Sequence, residues 1–151
     1  MDQIEYTTSV PSSELVRRGM VRRGARPISE VAGSVRSCLA EGDEATAWRW
    51  LVQFADDFRG SGEGAKASLV STEAPSTGDR RYDAAIGALV EHLCAENGVP
   101  APAWTDAPFR SAEPWWFPAG LRDLRPSMLR DSPISFKRHG VFVSAKAFRR
   151  V

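Results

Sequence analysis

The sequence predicts a mainly α-helical protein, a compact bundle of about four to five short helices with a Pro/Trp-rich loop and a short C-terminal extended segment. Three observations predict it. Apolar residues recur at three- and four-residue spacing in three stretches between Pro27 and Asn97. Glycines and capping residues punctuate those stretches. A segment dense in proline and tryptophan follows them, where no continuous helix can form.

The domain is expected to span 27–151, preceded by a flexible Arg-rich arm over 1–26 with few large apolar residues at any regular period. Within the arm, Pro11, Gly19 and Gly24 interrupt any long helix, although Ser12 or Ser13 can cap a short one through Arg18. Met20 is a possible alternative start. The first helix follows Pro27, with Ile28, Val31, Ala32, Val35 and Leu39 on one face. Gly42 ends it, Asp43 caps the second, and Ala47, Trp48, Leu51, Phe54, Ala55 and Phe58 form the next stripe as far as Gly60. From Gly60 to Asp79 the chain reads mainly as a connection, with at most a helical turn over Ala65–Val70. A third helix starts near Asp79, buries Tyr82, Ala85, Ile86, Leu89, Val90, Leu93 and Cys94, and stops at Asn97-Gly98.

Between Val99 and Pro118, five prolines forbid a helix while Trp104, Phe109, Trp115, Trp116 and Phe117 supply large apolar surface. A fourth helix is expected from Ala119 through Arg130, with Leu121, Leu124, Met128 and Leu129 inward and a kink or break at Pro126. Ser132 is expected to cap a short helix over Pro133–Arg138, with the proline in its first position. Val141–Val143 reads as the only strand, and Ser144 as the cap of a last turn carrying Phe148 and Val151.

The 151 residues are enough for one core, and 42% of them are hydrophobic. A net charge of +1 creates no global field that would recruit nucleic acid or an anionic membrane, so any electrostatic role must come from local clusters. Cys38 and Cys94 fall among apolar neighbours and read as free thiols. The N-terminus lacks the apolar core of a signal peptide and no run is long enough to span a bilayer, so the expected location is the cytoplasm.

Catalytic chemistry finds no support in the pattern. His92 and His139 are the only histidines, and neither stands in a set at ligand spacing, so neither a metal nor another cofactor is expected. Glu91-His92 lacks the second histidine of a metalloprotease helix. An activity resting on Asp56, Asp57 and His92 would require those side chains to converge; solvated helix charges and a structural histidine are the simpler reading. The chain therefore reads as a non-catalytic binding protein.

Two features carry binding signals. Arg17, Arg18, Arg22, Arg23 and Arg26 form a cluster that either contacts phosphates or an acidic protein pocket, or is a solvated tail. Trp104, Trp115, Trp116 and Phe117 either close the core or form a docking patch. If one of the adjacent tryptophans points in, the other is expected to point out. An exposed ring beside Arg110, Arg122 and Arg125 has the composition of an interface hot spot.

The ordered segments Ile28-Ser-Glu-Val-Ala, Cys38-Leu-Ala-Glu-Gly-Asp, Phe54-Ala-Asp-Asp-Phe-Arg and Pro75-Ser-Thr-Gly-Asp-Arg-Arg-Tyr-Asp-Ala-Ala are followed by Leu89-Val-Glu-His-Leu, Pro102-Ala-Trp, Trp115-Trp-Phe and Ser132-Pro-Ile-Ser-Phe-Lys-Arg-His-Gly-Val-Phe-Val-Ser. As a set, spanning about Pro27 to Val151, they resemble a family of small actinobacterial proteins. Members are often attached to a helix-turn-helix regulator domain and accompany nucleotidyltransferase-type toxins in toxin-antitoxin operons. The resemblance implies an antitoxin that neutralises a cognate toxin by direct contact, the helical body docking while the basic arm enters an acidic cleft. A DNA-binding transcriptional regulator, or an accessory domain of one, is the alternative. The regulator members carry a DNA-reading domain ahead of this region, and residues 1–26 are too short and too broken to form one.

Overall fold

A computed structural model describes residues 25–118, 125–144 and 146–148. It shows a mainly helical, compact fold of six α-helices among those residues: α1 (Ile28–Ala40), α2 (Glu44–Arg59), α3 (Glu63–Ser71), α4 (Arg80–Asn97), α5 (Arg125–Asp131) and α6 (Ile134–Arg138). Two 3-10 turns, Ala103–Asp106 and Pro108–Arg110, interrupt the long connection after α4.

The architecture is organised around α4. Tyr82 through Glu91 is an unbroken buried run, because Ala84, Ala85, Gly87 and Ala88 are small enough for neighbours to pack on every side. Its surroundings are α2, the 3-10 turns and α6. Gly87 shows the tightness: a β-carbon there would lie 3.0 Å from Arg110 Cδ and 3.1 Å from His139 Cε1. Asp79 caps α4 by accepting the Arg81 amide at 2.9 Å, and Gly98 ends it in the left-handed region at φ 68°.

Across the tight turn at Gly42, α1 and α2 pack together, burying Ile28, Val31 and Val35 against Leu51, Phe54 and Phe58. Asp43 caps α2, its Oδ1 accepting the Thr46 amide at 3.0 Å, as expected. The next segment departs from the sequence reading. Instead of a connection, Glu63–Ser71 forms a full helix, α3, which places Leu69 and Val70 in the core. Its glycine and serine content weakens the local helix signal, and burial of those two residues supplies what propensity does not.

The loop from Pro75 to Asp79 is fixed by one buried carboxylate. Asp83 accepts the Thr77 amide at 2.7 Å, the Thr77 hydroxyl at 2.8 Å and the Ser76 hydroxyl at 2.6 Å. Three hydrogen bonds supply the solvation that burial removed.

Towards the C-terminus several expectations are corrected. Only Arg125–Asp131 of the fourth helix falls within the described residues, and the helix is continuous from Arg125 through Pro126 to Asp131. Leu121 and Leu124 lie outside them. Met128 is buried as expected, but Leu129 is 40% exposed. Ser132 caps nothing: its hydroxyl lies 2.7 Å from Met128 O and 2.8 Å from Val143 O, and accepts the Val143 amide. Pro133 occupies the cap position of α6 rather than its first turn. Val141–Val143 is not a strand; one parallel bridge joins Val141 to Trp116. In the final turn, it is the Ser144 backbone carbonyl that accepts the Ala147 amide, and Phe148 is buried. Val151 lies outside the described residues.

Candidate functional site

The N-terminal ends of α2 and α4 meet beside the aromatic loop and the C-terminal segment, and between them lies a cavity of about 690 Å³. Its walls are aromatic. From α2 comes Trp48, whose ring centroid is 6.4 Å from Tyr82 of α4 and 6.0 Å from Trp116, edge-on to both. Tyr82 and Trp116 are 5.0 Å apart. Phe117 and Pro118 continue the wall from the loop, and Met128 and Val143 close it from the C-terminal side. The volume is that of an ordinary ligand or anchor-residue pocket.

One edge of the cavity is charged. The Arg81 guanidinium lies 5.0 Å from the Trp116 centroid and 5.9 Å from that of Tyr82. It is held by Asp79, Nε to Oδ1 at 3.1 Å and Nη2 to Oδ2 at 2.8 Å, with Glu44 3.3 Å from Nη2. The hydrogen bond from Arg81 holds the Asp79 carboxyl below the usual carboxylate range, and the same bond raises Arg81. Burial, followed by the nearby Glu44 charge, pushes the Tyr82 phenol up, so it stays a neutral donor towards the Glu44 backbone oxygen at 3.4 Å.

Adjacent tryptophans diverge as the sequence suggested. Trp116 donates its amide to Gly140 O at 2.9 Å and accepts the Phe142 amide at 2.8 Å, so residues 115–117 are extended with alternating side chains. Trp116 faces the cavity, while Trp115 is 62% exposed. Trp115 packs on Phe142 at 4.9 Å, and Phe142 stacks on Phe117 at 5.2 Å. A continuous run of rings thus leads from exposed Trp115 to the cavity wall.

The remaining expected binding residues are placed differently. Trp104 is tied inward, donating Nε1–H to Val70 O at 3.0 Å. Arg110, expected beside an exposed ring, is fully buried, because its guanidinium serves as a strut between the loop and α4. It lies between the rings of Trp104 at 4.7 Å and Phe109 at 4.5 Å, donates to Asp83 O at 3.3 Å and to Ala74 O, and stands 3.7 Å from Glu73. Burial pulls its pKa down, opposed by the Asp83 and Glu73 charges. Nothing in an arginine's identity separates a strut from a surface charge; aromatic residues at positions 104 and 109 are the only sequence hint. Arg26 is also used internally, paired with Glu30 at 3.5 Å and lying 4.8 Å from the Trp50 ring centroid. Arg17, Arg18, Arg22, Arg23, Arg122 and the Arg125 side chain lie outside the described residues.

A second polar cluster backs the loop. His139 Nδ1 contacts Arg110 O, its Nε2 is 3.3 Å from Glu91 Oε1, and Arg138 bridges Glu91 Oε2 at 2.7 Å and Asp106 Oδ1 at 3.2 Å. The weighed carboxylates and histidine have structural partners: Asp57 accepts Gln53 at 2.9 Å, and His92 pairs with Glu96 at 3.4 Å and packs edge-on to Phe136. Among the described residues no group of three or more His, Cys, Asp or Glu side chains is arranged to hold a metal ion, and no helix is long and apolar enough to cross a membrane. Comparison with family models, curated proteins and solved structures finds no match for this chain.

Proposed function

We propose that this chain is a non-catalytic binding protein that docks on a protein partner through the aromatic run from Trp115 to the cavity wall at Phe117 and Trp116. The observation that carries the reading is Trp115, 62% exposed and backed by Phe142. A tryptophan held open by a packed ring, next to a pocket, has the make-up of an interface anchor. The sequence resemblance makes a nucleotidyltransferase-type toxin the first partner to test, with neutralisation by steric cover. The DNA-binding alternative rests on the arginines between 17 and 23; Arg26, the one member of that cluster within the described residues, is engaged by Glu30 and Trp50.

The test is a nuclease-treated pull-down with the wild-type chain and Trp115→Ala as baits, with mass spectrometry of the bound protein. One stoichiometric protein held by wild type and lost by the variant is the expected result. Equal recovery by both baits refutes docking through Trp115. Recovery of nucleic acid alone from an untreated sample, with binding that decays steeply in salt, favours the regulator.

A further inference from the structure

The docking reading above makes Trp115 an anchor, and its indole has more support than 62% exposure suggests. A side chain open to solvent over most of its surface ordinarily exchanges rotamers, and a partner must stop that motion before the contact gains anything. Trp115 is seated on two sides. Its ring centroid lies 4.9 Å from that of Phe142, and a β-carbon on Gly140 would stand only 3.4 Å from its Cδ1. The indole thus rests against one ring and over the bare α-carbon of a glycine.

The seat is itself fixed. Phe142 is buried, with 4% of its surface exposed, and its ring stacks on Phe117 at 5.2 Å with 21° between the planes. Its amide donates to Trp116 O at 2.8 Å, while on either side the Val141 amide donates to Phe136 O at 3.0 Å and the Val143 amide to Ser132 Oγ at 2.8 Å. Three consecutive amides tie residues 141–143 to the aromatic loop, to α6 and to the residue that follows α5. Phe142 therefore engages both adjacent tryptophans, Trp116 through its backbone and Trp115 through its ring, and offers a partner almost no surface of its own.

We propose that Phe142 is a positioning residue for docking: with Gly140 beneath, it holds the exposed Trp115 indole in one rotamer, so that the anchor is formed before the partner arrives. The role rests on the docking reading for its consequence and on the contacts of Trp115 for its cause. Leucine at position 142 would fill much of the same space but present no flat ring to the indole.

The test measures the order parameter of the Trp115 indole N–H by nitrogen NMR relaxation in the full chain, its signal identified by its loss in Trp115→Phe. Wild type should give a value near the ~0.85 of rigid backbone, and Phe142→Leu a value below about 0.6. Val35→Ala loosens the packing of α1 on α2, away from the aromatic loop, and should keep the wild-type value although it lowers stability. In a pull-down titrated with bait, Phe142→Leu should need about two- to ten-fold more bait than wild type for half-maximal recovery of the protein that wild type holds.

A wild-type value below about 0.6 overturns the proposal, and because that measurement needs no variant the proposal can fail even where Phe142→Leu does not fold. An unchanged value in Phe142→Leu overturns it as well. So does an equal fall in Val35→Ala, since general loosening of the fold would then be the cause. Full recovery of the partner by Phe142→Leu with a loosened indole would mean that docking needs no preformed anchor, and also overturns it. Failure of the docking reading looks different: Trp115→Ala then recovers as much protein as wild type, whatever the order parameters, and Phe142 has nothing to position.

Discussion

The amide of Trp116 donates to the carbonyl of Gly140 at 2.9 Å, and the two backbones cross so closely that a β-carbon on Gly140 would lie 2.7 Å from Ala112 O. Gly140 also has φ 74°, where L-residues are strained. One glycine therefore sets how the aromatic loop is presented. Gly140→Ala combines a left-handed strain of about 1 kcal/mol with a backbone clash and should destabilise the fold by about 2–4 kcal/mol in urea unfolding. A loss under 0.5 kcal/mol would show that the crossing relaxes freely.

Arg110 tests the same loop from beneath. Removing its side chain leaves Ala74 O and Asp83 O without this donor and empties the space between Trp104 and Phe109. Arg110→Ala should cost about 3 kcal/mol or more in urea unfolding. Arg110→Met refills the volume without a buried charge and should recover a large part of that loss. If Met were no better than Ala, the hydrogen bonds rather than the packing would dominate.

Asp79 gives a pH dependence with a definite sign. Its folded pKa is depressed by the hydrogen bond from Arg81, so its contribution is fully present above the unfolded carboxylate value of about 3.9 and is lost as pH falls through the lower folded one. Melting temperatures of wild type and Asp79→Asn, measured from pH 2 to pH 6, should differ most at the upper end and converge at the acid end. A gap that stayed constant would assign the effect to capping geometry instead of charge.

Cys94 should resist thiol reagents. Burial, with the nearby Glu91 charge adding to it, pushes its thiol up to about 11, so little thiolate exists at pH 8 and that little is covered. In Cys38→Ser, the remaining thiol should react with an aromatic disulfide only after urea is added. Fast labelling of the native protein would mean that α4 opens locally.

How much of this was legible in the sequence depends on what each residue type reveals by itself. The stripes of α1, α2 and α4, with a cap at Asp43, a start near Asp79 and a stop at Gly98, stood out because period and punctuation agree. The helix α3 did not, since tertiary burial of Leu69 and Val70 outweighs a glycine- and serine-rich composition. Leu129 read as inward, yet on α5 Met128 takes the buried position. That one of Trp115 and Trp116 would point out if the other pointed in followed from adjacency; which of them is exposed did not. The cavity did not, because Glu44, Trp48, Arg81 and Tyr82 come from two helices that only the fold brings together. Arg110 was hidden for a different reason: arginine is a surface residue by default, and its burial depends on rings and carbonyls distant in sequence.

The two adjacent tryptophans supply the sharpest separation of stability from binding. Trp116 packs against Trp48 and Tyr82 and belongs to the core's margin, so Trp116→Ala removes ring contacts on two helices and should cost about 3 kcal/mol in urea unfolding. Trp115 packs on Phe142 and over Gly140 but is 62% exposed, so Trp115→Ala should stay within about 1 kcal/mol of wild type. Its cost should fall on partner recovery, because an anchor's energy is realised only when the partner removes its water. A large stability loss in Trp115→Ala with partner binding intact would reverse these roles. Trp115 would then support the loop, and the docking surface would have to be sought first at the other exposed large apolar side chains among the described residues, Leu129 and Ile134.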